Sequence, residues 1–311
     1  MTEAPFHSAI ADGPEGGYAR WLQATDGVQI RAGHWPLATA KGTVFLLPGR
    51  TEYIEKYGRA ARDLAQRGYA TLTVDVRGQG LADRALDDPM LGHVRDFAEY
   101  QRDMEALITF ARAEGLAEPW FLMGHSMGGA IALRALMGRH PFKAVAFSAP
   151  MWGILMSALM RPMALVMGHA ARAMGFDHRA VPGSREATYV LAVPFVGNTL
   201  TTDAEMWDYM RQQALAVPAL TLAGPSLGWL QAALAECRAL AALPAPDLAA
   251  LTALGLQERI VDTAPIHARM AQWPKGTLSL YPGAEHEVMM ERPDTRARFF
   301  DESCALFDLH L

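Results

Sequence analysis

The sequence predicts an α/β fold with a mostly parallel central sheet flanked by helices, and three observations support this. Short apolar runs without polar alternation are typical of strands buried on both faces, as in a parallel sheet. These runs alternate with longer stretches of helical periodicity, which favours right-handed strand–helix–strand units. The alternation stops near Met151 and returns near Leu248, which indicates one core interrupted by an insertion.

The predicted elements follow one another along the chain. Two alternating runs, Tyr18–Ala24 and Val28–Trp35, flank Asp26-Gly27 and predict a hairpin. Strands and helices are then predicted in turn over Thr43–Leu47, Tyr53–Arg67, Tyr69–Val74, Val94–Glu114, Trp120–Met123, Met127–Arg139 and Lys143–Ser148, and, after the insertion, over Leu248–Leu254, Asp262–Ala271, Thr277–Leu280 and Thr295–Leu309. The predicted division is a core over 1–150 and 239–311 with a helical cap insertion over 151–238.

Composition excludes several classes of protein. The 311 residues are 51% hydrophobic and 20% charged with a net charge of −5, which suits a globular protein and argues against a nucleic-acid partner. The N-terminus lacks the pattern of a secretory signal, and charged residues interrupt the longest apolar stretch, Met151–Phe176. We therefore expect a soluble cytoplasmic protein without a transmembrane segment, and we expect its two cysteines to be unpaired thiols.

A predicted strand leads into a predicted helix through Gly124-His125-Ser126-Met127-Gly128. A serine on such a sharp turn occupies strained backbone, and the flanking glycines let strand and helix approach closely. The turn raises the hydroxyl above the carboxyl edge of the sheet, where open α/β sheets bind ligands. Ser126 is therefore the predicted nucleophile, and the Met127 N–H is predicted to stabilise an oxyanion.

A serine hydroxyl needs a base, and the base needs an orienting acid. His286 is the predicted base, because it lies in the loop after the last predicted strand. Two acids, Glu258 and Asp262, follow the preceding strand. We favour Glu258, which falls in the tight turn, while Asp262 is better placed to cap the next helix.

The order serine, acid, histidine resembles the α/β-hydrolase superfamily. More narrowly, the chain is similar to the lysophospholipase L2 and monoacylglycerol lipase branch, which is grouped with the serine aminopeptidase (S33) hydrolases. The motifs that carry this resemblance are Leu47–Glu52 with Lys56-Tyr57, Asp75–Gly80, Gly124–Gly129, Gly224–Trp229, Arg259–Asp262 and Gly283–Glu287. The resemblance implies the α/β-hydrolase fold and assigns a second oxyanion N–H to Arg50, although Pro48-Gly49 replaces the usual His-Gly and Glu258 the usual Asp.

Other residues with ionisable side chains near these motifs are interpreted as structural. His125 beside the serine is expected to be packed, and Asp75 is expected to hold a loop. No metal site is predicted, since no convincing cluster of ligands has the required spacing. No cofactor is predicted either, because the glycine-rich segments lack nucleotide-binding patterns.

The cap is rich in methionine, which offers an adaptable apolar surface for acyl chains. Met151, Met156 and Met160 are the candidate substrate-binding residues. Four arginines against Asp177 make the segment Met151–Arg185 basic, which favours a peripheral position at a lipid surface. A cap whose apolar face only packs on the core is the alternative.

Two classes of function remain. The first is a serine hydrolase that cleaves a small-molecule acyl ester through an acyl-enzyme, with lysophospholipids or monoacylglycerols as the substrates that the resemblance implies. Small-ester, amide or thioester hydrolysis on the same fold is the alternative within this class. The second class is a non-catalytic binding protein on a hydrolase fold, against which the intact serine, acid and histidine argue. The sequence does not indicate an oligomeric state.

Overall fold

The computed structural model describes residues 1–157 and 160–311. Within these residues, nine strands form one sheet in the order β1-β2-β3-β5-β4-β6-β7-β8-β9. The strands are β1 Thr2–Ala4, β2 Tyr18–Gln23, β3 Gln29–Trp35, β4 Gly42–Leu47, β5 Tyr69–Asp75, β6 Trp120–His125, β7 Ala144–Ser148, β8 Ala249–Gly255 and β9 Gly276–Tyr281. The first three strands and β5 pair antiparallel, and all pairings from β5 through β4 to β9 are parallel. This confirms the predicted fold class and the predicted hairpin.

Helices connect the strands and cover the sheet. They are α1 Ser8–Ala11, α2 Gly58–Gln66, α3 Glu99–Ala113, α4 Met127–Leu136, α5 Met160–Ala173, α6 Tyr189–Ala192, α7 Ala204–Ala216, α8 Leu227–Ala241, α9 Thr263–Met270 and α10 Pro293–Asp308. Short 3₁₀ helices occupy Ile54–Tyr57, Pro218–Leu220 and Val288–Met290.

The central strands are buried on both faces. In β4, Phe45 and Leu47 belong to the apolar cluster that includes α3, α4 and α9, while Val44 and Leu46 belong to the cluster that includes α2 and α10. Since both faces of the strand are covered by helices, no position needs to be polar. This is the physical reason for the uninterrupted apolar runs in the sequence.

Between β7 and β8 the chain leaves the sheet. The described residues of this segment contain α5, α6, α7 and α8. Helix α8 continues past residue 238 to Ala241, and β8 begins at Ala249. The boundaries 151 and 238 stay a prediction, but the insertion of helices between two neighbouring parallel strands is clear. None of the helices in the described ranges has the length and apolar character needed to cross a membrane.

A buried ion cluster supports the sheet near its antiparallel edge. Arg31 Nε donates to Asp75 and Arg31 Nη2 donates to Glu55, each at 2.7 Å, and all three side chains are fully buried. Asp75 also accepts hydrogen bonds from the backbone N–H groups of Ile54 and Leu81, both at 2.8 Å. Asp75 therefore holds the loop after β5 in place, which agrees with its structural interpretation.

We expect Arg31→Met to lower the free energy of unfolding by about 3–5 kcal/mol, because it leaves Asp75 and Glu55 buried without their cation. Chemical denaturation followed by circular dichroism measures this change. The control is Lys275→Met, which removes an exposed ion pair with Asp247 and should cost at most about 1 kcal/mol. Equal effects of the two substitutions would contradict the structural role of the cluster.

Candidate active site

The turn between β6 and α4 holds Ser126 in strained backbone. Its φ of 49° and ψ of −115° lie in a region that L residues rarely adopt. The Ser126 N–H donates to Ser148 O at 3.0 Å, and Ser126 O accepts from Met151 N at 2.8 Å. These bonds tie the turn to the neighbouring strand end and to the start of the cap, so the strain is held by the surrounding structure.

Glycine at position 128 lets the elbow approach the loop after β4. A Cβ on Gly128 would lie 2.2 Å from Leu47 O, which no larger residue can accommodate. The first turn of α4 thus packs directly against the end of β4. Arg50 lies in this loop, three residues after the end of β4, so the close packing brings the loop next to the turn that holds Ser126.

His286 and Glu258 form a hydrogen-bonded pair. His286 Nδ1 lies 2.6 Å from Glu258 Oε2, and the two side chains are 4% and 1% exposed. Burial disfavours the charged imidazolium, but the charge and hydrogen bond of Glu258 outweigh it, so the pKa of His286 is raised. Two backbone N–H groups, those of Ile260 and Val261, hold the other oxygen of Glu258 at 2.6 and 3.0 Å.

Asp262 has a different set of contacts. It caps α9 by accepting from Ala264 N at 3.2 Å, and its other oxygen pairs with Arg161 Nη2 at 2.8 Å. The structure therefore brings Glu258, and not Asp262, to His286. The catalytic role of Glu258 remains a prediction, with geometry that suits it.

Ser126 and His286 line one cavity of about 450 Å³, a volume typical of small-molecule sites. It is lined by the loops that follow β4, β6, β8 and β9 and by the segment between β7 and β8, and its walls are mostly apolar. The apolar lining residues include Tyr53, Met151, Ile154, Tyr189, Val190, Leu200, Met210, Ala214, Trp229, Leu230, Ile260 and Val261. Such a cavity can hold an apolar chain against the candidate nucleophile.

Two backbone N–H groups are available to an oxyanion. Met127 is the first residue of α4, where the N–H has no partner within the helix. The Arg50 N–H makes no hydrogen bond within the described ranges, whereas its neighbour Thr51 N donates to Gln79 Oε1 at 2.9 Å. Arg50 and Ser126 line the same cavity. The assignment of both N–H groups to an oxyanion hole stays a prediction that this geometry allows.

Sequence reasoning did not identify a buried ion network beside His286. Lys56 Nζ lies 2.7 Å from Glu52 Oε1 and 2.6 Å from Glu287 Oε2, and all three side chains are at most 6% exposed. Glu52 also accepts a hydrogen bond from the N–H of Gly49. The network thus links the loop that carries Arg50 to the residue after His286. The only sign of this network in the sequence was that Glu52 and Lys56, an acid and a base, are four residues apart.

His125 is buried against this cluster. Its Nδ1 lies 3.1 Å from Ser148 O, and its Nε2 lies 3.6 Å from Glu52 Oε1. Burial lowers its pKa to about 3, so the ring is neutral. Glu52, His125 and Glu287 are close enough to share a cation among the described residues. Lys56 is bound to both of these carboxylates, so the cluster is interpreted as an ion network rather than a metal site.

We expect Glu287→Gln to move the acidic limb of the kcat/KM profile to lower pH. The Glu287 carboxylate is one of the charges that raise the pKa of His286, and the base acts when it is neutral. Removing that charge lowers the pKa, so His286 stays neutral at lower pH. Activity measured from pH 4 to 9 tests this, and a limb that is unmoved or displaced upward would contradict it.

The methionines of the cap do not share one environment. Met151 is buried and lines the cavity. Met156 is half-buried and Met160 is 57% exposed, and neither lines the cavity in the described part of the chain. The substrate-binding roles predicted for Met156 and Met160 therefore find no support in the structure. For Met160 the reason is that α5 packs on α8 through its small residues Gly168 and Ala171, which leaves the methionines of α5 exposed.

Comparisons with known proteins identify the family of the chain. The model of the family described as "Serine aminopeptidase, S33" matches residues 38–293. The chain is 30% identical to lysophospholipase L2 of Escherichia coli K12 over 282 residues, which covers 86% of this chain and 80% of that protein. It is 29% identical to a probable lysophospholipase L2 of Haemophilus influenzae over 264 residues, with 84% and 82% coverage.

A solved structure shows the same fold. A soluble variant of monoglyceride lipase from Saccharomyces cerevisiae superposes with a TM-score of 0.72 at 20% identity, covering 93% of this chain and 94% of that one. Its fold is the α/β-hydrolase fold, as the sequence resemblance implied. With the family model spanning most of the sheet and the whole cap, the chain belongs to the serine aminopeptidase S33 family of hydrolases.

Proposed function

We propose that the protein hydrolyses the carboxylic ester of a monoacyl lipid through an acyl-enzyme on Ser126. The observation that carries the proposal is the hydrogen bond between Glu258 and His286, at a cavity that Ser126 and His286 line together. An acid that fixes the imidazole leaves its other nitrogen free to act as the base. The names of the relatives, lysophospholipase L2 among them, support the lipid ester.

In the proposed reaction Ser126 Oγ attacks the ester carbonyl carbon while His286 Nε2 accepts the hydroxyl proton. The negative charge that develops on the carbonyl oxygen is stabilised by the N–H groups of Met127 and Arg50. The alcohol leaves with the proton held by His286. Water then loses a proton to His286 while its oxygen attacks the acyl carbon. The bond from that carbon to Ser126 Oγ breaks, Oγ takes the proton back from His286, and the carboxylic acid is released.

A panel of substrates tests the proposal. It comprises a long-chain lysophospholipid, a monoacylglycerol with the same acyl chain, a short ester, an aminoacyl amide and an acyl thioester. We expect the two lipid esters to have the highest kcat/KM, because the cavity is mostly apolar. A preference for the amide or the thioester would replace the proposal with the alternative reaction. The absence of turnover on every member would favour a binding protein.

The exposed face of α5 supports a position of the cap at a lipid surface. Its exposed apolar side chains include Met163 at 53% and Val166 at 70% exposure, and Met174 just beyond the helix is 62% exposed. Arg172 on the same helix is also exposed. Exposed apolar side chains beside a cationic residue on one helix suit insertion at the boundary between headgroups and acyl chains.

We expect the double substitution Met163→Ser with Val166→Ser to weaken binding to anionic vesicles severalfold, because it removes apolar area from the exposed face. Turnover of a short dissolved ester should remain, since neither residue lines the cavity. Vesicle sedimentation measures the binding. The control is Leu256→Ser, which removes an exposed apolar side chain elsewhere. Unchanged sedimentation of the double variant would contradict the membrane role of α5.

A further inference from the structure

The side chain of Arg50 reaches from the loop after β4 to the underside of the cap. Its Nη2 donates to Ala223 O at 2.7 Å, and its Cζ lies 5.0 Å from the centroid of the Trp229 ring. Gly92 leaves room for the guanidinium, since a Cβ there would lie 2.9 Å from Nη2. Ala223 and Trp229 line the same cavity as Ser126, so the guanidinium lies at the wall of the cavity.

This guanidinium has no carboxylate partner among the residues that the structure describes. Its Nε–H is buried and makes no hydrogen bond there. Arg31 and Arg77, which are more deeply buried than Arg50, are paired with carboxylates: Arg31 binds Asp75 and Glu55, and Arg77 binds Asp26 and Asp103. Burial lowers the pKa of Arg50 to about 10, so the group is still charged at neutral pH. Arg50 is half-buried, and a largely desolvated charge without a counterion is costly, so an anionic ligand would remove that cost.

The two carboxylates of the cavity are not free to serve as that counterion. Glu52 and Glu287 line the cavity, but both bind Lys56 Nζ within 2.7 Å. The cavity therefore contains no unpaired acid, among the described lining residues, that could neutralise Arg50. Arg185, the other arginine of the lining, is solvent-exposed and stacks on Tyr189, so its charge is screened.

We propose that the Arg50 guanidinium binds the phosphate of a lysophospholipid and so favours this substrate over an uncharged monoacylglycerol. The inference rests on the proposed ester hydrolysis and specifies its substrate class. An arginine guanidinium matches phosphate oxygens in both geometry and charge, and Nη1 of Arg50 makes no hydrogen bond among the described residues and is not a buried atom. In a lysophospholipid only the glycerol carbons separate the ester from the phosphate, so one residue can contact both. In this arrangement the backbone N–H of Arg50 faces the ester oxygen and the Arg50 guanidinium faces the phosphate.

The test is the ratio of kcat/KM for a lysophospholipid to kcat/KM for a monoacylglycerol with the same acyl chain. Substitution of the side chain retains the backbone N–H, and any effect on the shared chemistry cancels in the ratio. We expect Arg50→Gln to lower the ratio at least tenfold, through KM for the phosphate substrate. Arg50→Lys keeps the charge and should restore part of the ratio.

A second variant moves the guanidinium without changing residue 50. Gly92→Ala places a Cβ against Nη2 and should lower the ratio in the same direction, by less than Arg50→Gln. Binding of an uncleavable ether lysophospholipid to the Ser126→Ala variant supplies an independent measurement. Arg50→Gln in that background should weaken binding of the phosphate ether at least tenfold and should weaken binding of the matching glycerol ether less. Inorganic phosphate should compete with the phosphate ether only weakly, because it lacks the acyl chain.

The outcomes separate the inference from the proposed function. If the wild-type protein hydrolyses both lipids and the ratio is unchanged in Arg50→Gln, the inference is wrong and the function stands. A larger fall of the ratio in Arg185→Gln than in Arg50→Gln would also overturn it. If neither lipid is hydrolysed by the wild-type protein, the proposed function itself fails. A monoacylglycerol preference in the wild-type protein would contradict the inference directly.

Discussion

Ser126→Ala is expected to lower kcat/KM for every ester substrate by roughly four to six orders of magnitude. The substitution removes the oxygen that attacks the ester carbonyl. A water molecule in its place is not tethered to the protein and is not held against the carbonyl carbon. The fold should be retained, because Ser126 is held through its backbone to Ser148 and Met151. Circular dichroism and the melting temperature check the fold, and initial rates with a long-chain ester check the activity.

The matched control for this variant is Ser184→Ala, which changes a second serine of the same cavity. Ser184 lies in the cap. Among the described residues it makes no hydrogen bond to His286 or to the N-terminus of α4. Its substitution should change kcat/KM by less than about tenfold, the range of one lost contact in a pocket. Activity of Ser126→Ala within tenfold of the wild type would remove the serine from the mechanism.

Glu258→Gln is expected to lower kcat by roughly four orders of magnitude, while Asp262→Asn should stay within about tenfold of the wild type. A glutamine at 258 can donate to His286 Nδ1, which favours the tautomer that carries its proton on the nitrogen facing Ser126. It also removes the charge that stabilises the imidazolium. Asp262 caps α9 and binds Arg161; asparagine still caps a helix, so Asp262→Asn loses only the partly exposed ion pair and should cost at most about 1 kcal/mol of stability.

Two further measurements sharpen this comparison. Since the Glu258 charge raises the pKa of His286, Glu258→Gln should also move the acidic limb of its residual activity to lower pH. The double variant Ser126→Ala with Glu258→Gln should be no slower than Ser126→Ala alone, because the members of a triad act as a unit. Additive losses, or a crippled Asp262→Asn variant, would show that the acid has been assigned wrongly.

The sequence was sufficient for the parts of the fold that depend on local pattern. The buried strands could be predicted because helices cover both faces, and the elbow because Ser126 lies between a strand and a helix. The strand β1, Thr2–Ala4, was missed because three residues carry no periodicity. Helix α2 was predicted to begin earlier, but a 3₁₀ helix occupies Ile54–Tyr57 before it.

The parts of the site that depend on tertiary packing could not be predicted. The methionine content of the cap was visible, but only the packing of α5 on α8 decides that Met160 faces outward and Met151 lines the cavity. The link from Lys56 to Glu287 joins residues 231 positions apart, so no local pattern signals it. Glu258 could be favoured over Asp262 because the capping position of α9 was recognisable in the sequence.

The central claim is that Ser126 is a nucleophile activated by His286, and labelling with a fluorophosphonate probe tests it most directly. The probe forms a bond to an activated serine, and peptide mass spectrometry locates the adduct. We predict a single adduct on Ser126 in the wild-type protein, none in Ser126→Ala, and much slower labelling of Glu258→Gln. An unlabelled wild-type protein, or an adduct on another residue, would contradict the claim.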